Sequence, residues 1–294
     1  MNCGAKSKGK KNQISLWGYD IPRKWLTPIE FQYLNELPER LPDVIWVCNE
    51  LDRIWGGLKL KNDMPLNSES ITNYYTHPVW LMNGIFTICD PQSLMHRMLI
   101  AKYLAKGDVK TVADYGGGLG QLALCIASEN EFAEIHIIEP YPSRVGVERL
   151  RRQPQIKIVQ NLTSEYYDVV IAQDVLEHVV DPVKLAYEIA SQVKNGGEVI
   201  FANCFYPSIQ CHLPSTFHLR HTFIFVMKAL GLRFVKTLEG APHIQIFQRV
   251  GSLNLIKARN AELASKPIGT YLNFQHDIFA LLKSNVKRLI IKII

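Results

Sequence analysis

The chain has 294 residues, 47% of them hydrophobic and 20% charged, a balance that argues against wholesale disorder and supplies one sizeable domain with an appendage, or two small ones. Its net charge of +6 gathers partly in the Lys6 to Lys11 cluster and the C-terminal tail; elsewhere the signs are mixed, so no nucleic-acid face is read from charge. No apolar run reaches the roughly 18 to 20 residues that span a bilayer, the N-terminus lacks the apolar centre of a signal peptide, and the six scattered cysteines form no C-x-x-C pair, which together point to reduced thiols and a cytoplasmic setting.

Residues 1–14 are polar and basic and are expected to form a disordered arm. Residues 15–107 hold all five tryptophans, with helical stretches expected at Pro28 to Leu37, Asp43 to Trp55 and Ser93 to Leu104. This helical N-terminal region has the bulk to form a small core or to cover a groove. Within it, His77 to Phe86 reads as a loop feeding a helix from Gln92 to Leu104.

Residues 108–250 alternate short β-rich runs with helical segments, the pattern of a mostly parallel sheet. The first run, Thr111 to Asp114, ends in an acid and turns through Gly116, Gly117, Gly118 and Gly120 before Leu122 to Ala127 continue as a buried helix. Glycines serve where the backbone takes positive φ or passes so close to a ligand that a Cβ would collide with it. The dinucleotide fingerprint G-x-G-x-x-G would place its third glycine at Gln121; the pattern is instead Asp114-x-Gly116-x-Gly118-x-Gly120. The second strand, from Glu134, ends at Glu139, 19 residues past Gly120, where an acid can accept both hydroxyls of a ribose.

A helix around Ser143 to Leu150 leads to a third strand, Ile156 to Asn161. The fourth, from Tyr167, exits through Gln173-Asp174-Val175-Leu176-Glu177-His178-Val179. Asp181-Pro182 opens the next helix, Lys194 to Gly197 supply its glycine stop, and the fifth strand runs on to Phe201. His221-Thr222 precede a last helix from Phe223 to Gly231, and Leu232 to Leu238 with Ile244 to Arg249 read as a final antiparallel hairpin. Residues 251–294 have a helical apolar period and a basic, apolar end. This tail is expected to dock on the body or to self-associate, with weak contact to an anionic membrane surface as the other use.

The acid followed by G-x-G-x-G, the acid closing the second strand and the Asp-Val-Leu-Glu-His-Val exit of the fourth stand in the order and at the spacings of the class I S-adenosylmethionine (SAM)-dependent methyltransferases. Over about 140 residues the chain resembles the small-molecule branch of that family, which includes the quinone-biosynthesis enzymes. The resemblance implies an α/β fold: a Rossmann-like, doubly wound, mostly parallel seven-stranded sheet carrying the added helical N-terminal region. It implies SAM as cofactor, with Asp114 beside the methionine amino group, Gly116, Gly118 and Gly120 under the methionyl and ribose portions, and Glu139 on the ribose. Asn161 would meet the adenine amino group in place of the acid that many members carry, with Gln173 and Asp174 at the fourth strand's exit. The helix before the first strand borders the site in that family, making His96 and Arg97 candidate contacts.

Methyl transfer is a direct displacement that needs alignment, exclusion of water and, for a hydroxyl acceptor, removal of a proton. No metal is inherently required, and none is expected here, because the His212, His218 and His221 cluster has no acidic partner nearby in the sequence. A histidine suits the base role: His221 is the first candidate, His178 the second, His218 and His212 the others, with alignment alone left open. Tyr206 or Arg220 would hold the acceptor. The acceptor is expected to be a small-molecule hydroxyl, on a sugar or glycan precursor for example, since no N-P-P-Y-type motif of base-directed amino methyltransferases occurs and nucleic acid is not the expected partner. A nucleic-acid methyltransferase, an NAD(P)-dependent oxidoreductase and a non-catalytic SAM-binding scaffold remain the alternatives.

Overall fold

Two-residue turns, helix caps and β-branched runs set the elements of this chain, whose computed structural model describes residues 12–62 and 68–293. Gln13–Leu16 (β1) and Tyr19–Pro22 (β2) form an antiparallel hairpin. Its turn puts Trp17 and Gly18 both at positive φ, the geometry that matches strand twist in tight hairpins. The strand opens inside the stretch expected as a disordered arm, because Ile14 is buried against the N-terminal core; residues 1–11 of that arm lie outside the described residues.

Five helices follow: α1 (Pro28–Asn35), α2 (Val44–Gly57), α3 (Ser68–Tyr75), α4 (Pro78–Cys89) and α5 (Pro91–Leu104). The stretch His77 to Phe86, expected as a loop, is helix α4. His77 caps it by accepting the Val79 N–H on Nδ1 at 3.1 Å, Pro78 sits in the first turn, and Val79, Met82, Ile85 and Phe86 are buried at helical spacing. Asp90 caps α5 in turn through the Ser93 N–H at 2.7 Å.

The remaining elements are β3 (Thr111–Tyr115), α6 (Gln121–Glu129), β4 (Glu134–Ile138), α7 (Arg144–Leu150), β5 (Ile156–Ile158), β6 (Tyr167–Gln173), α8 (Pro182–Ser191), β7 (Val193–Ala202), α9 (Leu219–Leu230), β8 (Leu232–Leu238), β9 (Ala241–Arg249) and α10 (Leu255–Ile293). Seven strands make one sheet in the order β5-β4-β3-β6-β7-β9-β8, parallel except for β9. The doubly wound α/β sheet read from the sequence is therefore present, with its antiparallel hairpin at one edge. Two details differ. Strand β5 stops at Ile158, short of Asn161, and the Lys194 to Gly197 segment does not end a helix. Helix α8 ends at Ser191, and those four residues bulge out of β7, whose pairing jumps from Tyr167↔Val193 to Val169↔Glu198.

One face of the sheet packs on α5 and α6, the other on α8, α9 and the start of α10 through Phe201, Phe223 and Phe247. The N-terminal region has a third cluster around Trp55, Tyr74 and Met82, which also takes in Leu119, Val145 and Cys211 from the sheet domain. Helix α4 meets the glycine loop so closely that a Cβ on Gly84 would stand 2.6 Å from Leu119 Cγ. Helix α10 lies along α9, and a Cβ on Gly269 would stand 2.1 Å from the His218 carbonyl. Among the described residues no helix is long and apolar enough to cross a membrane.

Candidate active site

The chain turns back across the sheet between β3 and β6, and the crevice at the C-terminal ends of these strands is where open α/β folds bind ligands. The register sets Tyr115 opposite Ala172 and Ala172 opposite Phe201, so the loops after β3, β6 and β7 leave the sheet at one level.

Asp114, at the end of β3, is 2% exposed and its Oδ2 has no hydrogen-bond partner in the protein. Burial raises its carboxyl to about 7; the nearby Arg97 charge opposes the rise and Glu139 adds to it. A buried acid without a donor is costly unless a cationic group comes to it. The loop above it turns left-handed at Gly116, Gly118 and Gly120. A Cβ at Gly116 would strike Val175 at 2.7 Å, whereas one at Gly118 would meet nothing within 4 Å. The positive-φ backbone at Gly118 thus borders open space.

Glu139 reaches that loop from the end of β4: Gly118 N–H donates to its Oε2 at 2.8 Å and Tyr141 N–H to its Oε1 at 3.0 Å. Gln173 is half-buried with its amide 3.4 Å from Asp174 Oδ2, and Asp174 is exposed with φ of 54°. Arg97 on α5 lies where its charge acts on both Asp114 and Asp174, and it donates to the Ser93 carbonyl at 3.0 Å. His96 instead packs against His243, ring centres 4.7 Å apart. Asn161 is exposed on a bend beyond the shortened β5.

A second wall is assembled from three distant segments. Past Asp174 the chain makes one 3-10 turn, Leu176–His178. Glu177 there is fully buried: its Oε1 accepts the Cys204 N–H at 2.7 Å, its carbonyl accepts the Leu213 N–H at 2.9 Å, and its Oε2 has no partner. The His178 ring stands 4.7 Å from that of His212, 6.4 Å from Tyr75 and 6.2 Å from Trp80, and its Nδ1 has no partner. His212 Nδ1 lies 2.9 Å from the Tyr206 carbonyl, so that nitrogen carries the proton and Nε2 keeps its lone pair. Burial, with the adjacent His212, holds His178 down to about 3, and burial lowers His212 as well. Burial also pushes Glu177 up, and the Asp174 charge adds to that. Both imidazoles are therefore neutral near pH 7.

This wall is fixed to the N-terminal region. Asp52 accepts the Gln210 N–H at 2.6 Å, Asn62 donates to the Gln210 carbonyl at 2.9 Å, and Tyr75 stacks on Tyr141, two residues past Glu139, at 5.6 Å and 7°.

The other two histidines named as base candidates are not brought here. His218 is buried with its Nε2 3.3 Å from Glu262 Oε1 on α10. His221 sits in the first turn of α9, its neighbours Arg220, Asn273 and His276; the helix starts two residues before it, which turns it toward α10. Tyr206 and Arg220 pair with each other, the guanidinium 4.8 Å over the ring, beside a 350 Å³ cavity against α10. A larger groove of 560 Å³ lined by Asp108, Asp168 and Lys194 opens at the opposite, N-terminal edge of the sheet, away from the crevice. Tyr75, Trp80 and Tyr141 were not singled out as site residues; the one signal in the sequence was the confinement of every tryptophan to the segment before the glycine loop.

Residues 88–262 match the family model described as a methyltransferase domain. The ubiquinone biosynthesis O-methyltransferases of Salmonella enteritidis (strain P125109) and Salmonella gallinarum are each 32% identical to this chain over 101 residues, 32% of the chain and 42% of the relative. The chain thus spans under half the length of these curated relatives. Among solved structures, an O-methyltransferase family protein from Burkholderia thailandensis superposes with a TM-score of 0.53 over 76% of this chain and 77% of its own, at 16% identity, a likeness of fold.

Proposed function

We propose, from the premise that this chain belongs to the class I SAM-dependent methyltransferases, that it moves the methyl group of SAM to a hydroxyl on a small molecule that carries a ring. The observation that carries the cofactor half is Asp114, a buried, unpartnered carboxylate under a left-handed glycine loop. The SAM ammonium supplies the hydrogen-bond donor that Asp114 Oδ2 lacks, the methionyl chain passes over Gly118, and Glu139 exchanges its bond to the Gly118 N–H for the ribose hydroxyls. Arg97 is suited to the cofactor's carboxylate, Gln173 and Asp174 border the sulfonium, and Asn161 takes the adenine edge.

The acceptor half is the wall of Tyr75, Trp80, Tyr141, His178 and His212. Its flat rings suit a phenol or a sugar, and its polar groups converge where a hydroxyl would meet the methyl. Support for oxygen as the acceptor atom comes also from the O-methyltransferases matched in part. The N-terminal region from residue 15 to 107 serves as cover for that acceptor, and residues 108–250 as the cofactor domain. The apolar residues α10 exposes, Leu263, Ile268, Tyr271 and Phe274, favour self-association over membrane contact. Free thiols at Cys48, Cys89, Cys125, Cys204 and Cys211 fit a cytoplasmic setting.

Calorimetric titration with S-adenosylhomocysteine and, separately, NADH tests the cofactor. Micromolar binding of the former alone is expected, and binding of NADH alone would overturn the reading. Transfer of label from methyl-labelled SAM to a panel of catechols, phenols and sugars then tests the acceptor class; label found only on amines or nucleic acid would refute it.

A further inference from the structure

We infer that the 350 Å³ cavity between the loop after β7, the start of α9 and α10 takes the acidic end of the acceptor, a phosphate or carboxylate carried on a ring, with Arg220 and Lys266 as its counter-charges. The inference rests on the hydroxyl-methylating reading above for the identity of the ligand, and on the cavity itself for the ligand's charge and shape.

The helical period builds one wall. Lys266, Thr270, Asn273 and Phe274 all line the cavity, and their spacing of four, three and one puts them in a single stripe along α10. Gly269 lets that stripe come close, since a Cβ there would collide with the His218 carbonyl. Asn273 Nδ2 then donates to the Phe217 carbonyl at 2.6 Å and fixes the helix against the turn before α9. Tyr206 and Arg220 face the stripe from the other side.

The lining residues include two permanent cations and no acid. Lys266 has Glu262 one turn before it, the position from which a glutamate ordinarily pairs with a lysine on a helix. That carboxylate is engaged elsewhere, by His218 at 3.3 Å and Arg259 at 3.4 Å. Arg220 lies with its guanidinium 4.8 Å over the Tyr206 ring and donates to His276 Nε2 at 3.3 Å, one use among the five donors a guanidinium has. Among the described residues neither cation is in an ion pair. Two like charges held in one cleft repel each other until an anion enters, and the planar guanidinium fork matches the oxygens of a carboxylate or phosphate.

The mouth selects for a ring. Tyr206 and Phe274 are 42% and 62% exposed there, two aromatic faces that a flat ligand covers. The same loop reaches the acceptor wall: the Tyr206 carbonyl holds His212 Nδ1 at 2.9 Å, and two residues earlier the Cys204 N–H holds Glu177 at 2.7 Å. A molecule with its hydroxyl in the crevice and its acid between Arg220 and Lys266 therefore lies across one loop.

The test begins with binding and needs no turnover. The full chain, saturated with S-adenosylhomocysteine, is titrated calorimetrically with phenyl phosphate, benzoate and phenol. At least one acidic probe is expected to bind about tenfold or more tightly than phenol. Arg220→Gln and Lys266→Gln are each expected to weaken that probe about fivefold or more, with S-adenosylhomocysteine affinity within about twofold of wild type as evidence that the variants fold. Phenol binding as tightly as both acids, or acid binding untouched by both substitutions, overturns the site. The source of the acid is then read from kinetics. Dihydrocaffeate, a catechol with a carboxylate, is expected to exceed catechol in kcat/KM about tenfold or more, and the ratio should fall toward one in the double variant. A ratio near one in the wild type, with the acidic probes still bound, overturns the acceptor assignment and gives the cavity to a separate acidic ligand. If the probes bind as described and no hydroxyl is methylated, the anion site stands and the hydroxyl reading fails.

Discussion

The two walls of the crevice are made in opposite ways. The wall proposed for the cofactor is local: Asp114, the glycine loop and Glu139 lie within 26 residues of each other, and their contacts run through backbone N–H groups and left-handed glycines. The wall proposed for the acceptor is distant: Tyr75 and Trp80, then Glu177 and His178, then His212, meet only because the N-terminal region, the β6 exit and the loop after β7 are tied together. A local wall survives as a pattern in the sequence, whereas a wall of side chains drawn from three segments has no spacing to read. Substitutions should therefore separate the two, with cofactor affinity answering to one set and acceptor kinetics to the other.

The largest separation is expected at Asp114→Ala, which should weaken S-adenosylhomocysteine binding by about a hundredfold or more by calorimetry, since a desolvated charge-assisted contact is lost. Unchanged affinity would remove the cofactor assignment. A pH series comes next. Because the Asp114 carboxyl is raised to about 7 in the free protein, its ionised fraction grows about tenfold between pH 6 and pH 8, and affinity for the ammonium should rise by a similar factor. The sign for the free protein is opposite. A carboxyl whose folded pKa is raised contributes stability below its unfolded pKa and loses it as pH climbs through about 7, so the melting temperature of the free chain should fall over that interval, and Asp114→Asn should flatten the slope.

On the other wall, Trp80→Phe should raise KM for the acceptor several-fold, as ring area against His178 is lost, while S-adenosylhomocysteine affinity stays within about twofold; equal loss of both would mean that the walls are one unit. The smallest effect is expected from His221→Ala. This side chain faces His276 and Asn273, so kcat should stay within about twofold, the range of a surface change. A hundredfold fall in kcat at unchanged stability would return the base role to it.

The sheet was legible because each strand is a short apolar run and each loop carries a glycine or an acid with a physical reason to be there. Misreadings arose where one residue type serves two ends. Gly196 and Gly197 read as a helix stop and instead serve a bulge in β7. His77-Pro78 read as loop and instead begins α4, because a histidine ring nitrogen can replace the usual hydroxyl or carboxylate cap. Asp114, the glycines and Glu139, singled out by their resemblance to a family pattern, do meet at the ends of β3 and β4. His221 lies toward α10 and not in the crevice, because position in the chain does not say which side of a helix a residue takes.

The contact of Gly84 with Leu119 has a further meaning for how the chain is made. The cover's core is completed by Leu119, Val145 and Cys211, so its residues leave the ribosome well before the last of their packing partners exists. Vectorial synthesis thus presents an N-terminal segment rich in tryptophan with its apolar cluster still open, dependent on chaperones or on the nascent sheet to shield it. A hybrid gene that joined this cover to another relative's sheet at residue 107 would inherit the same gap, and transplanting the segment up to the loop at Cys211 is the smallest exchange that keeps the cluster whole.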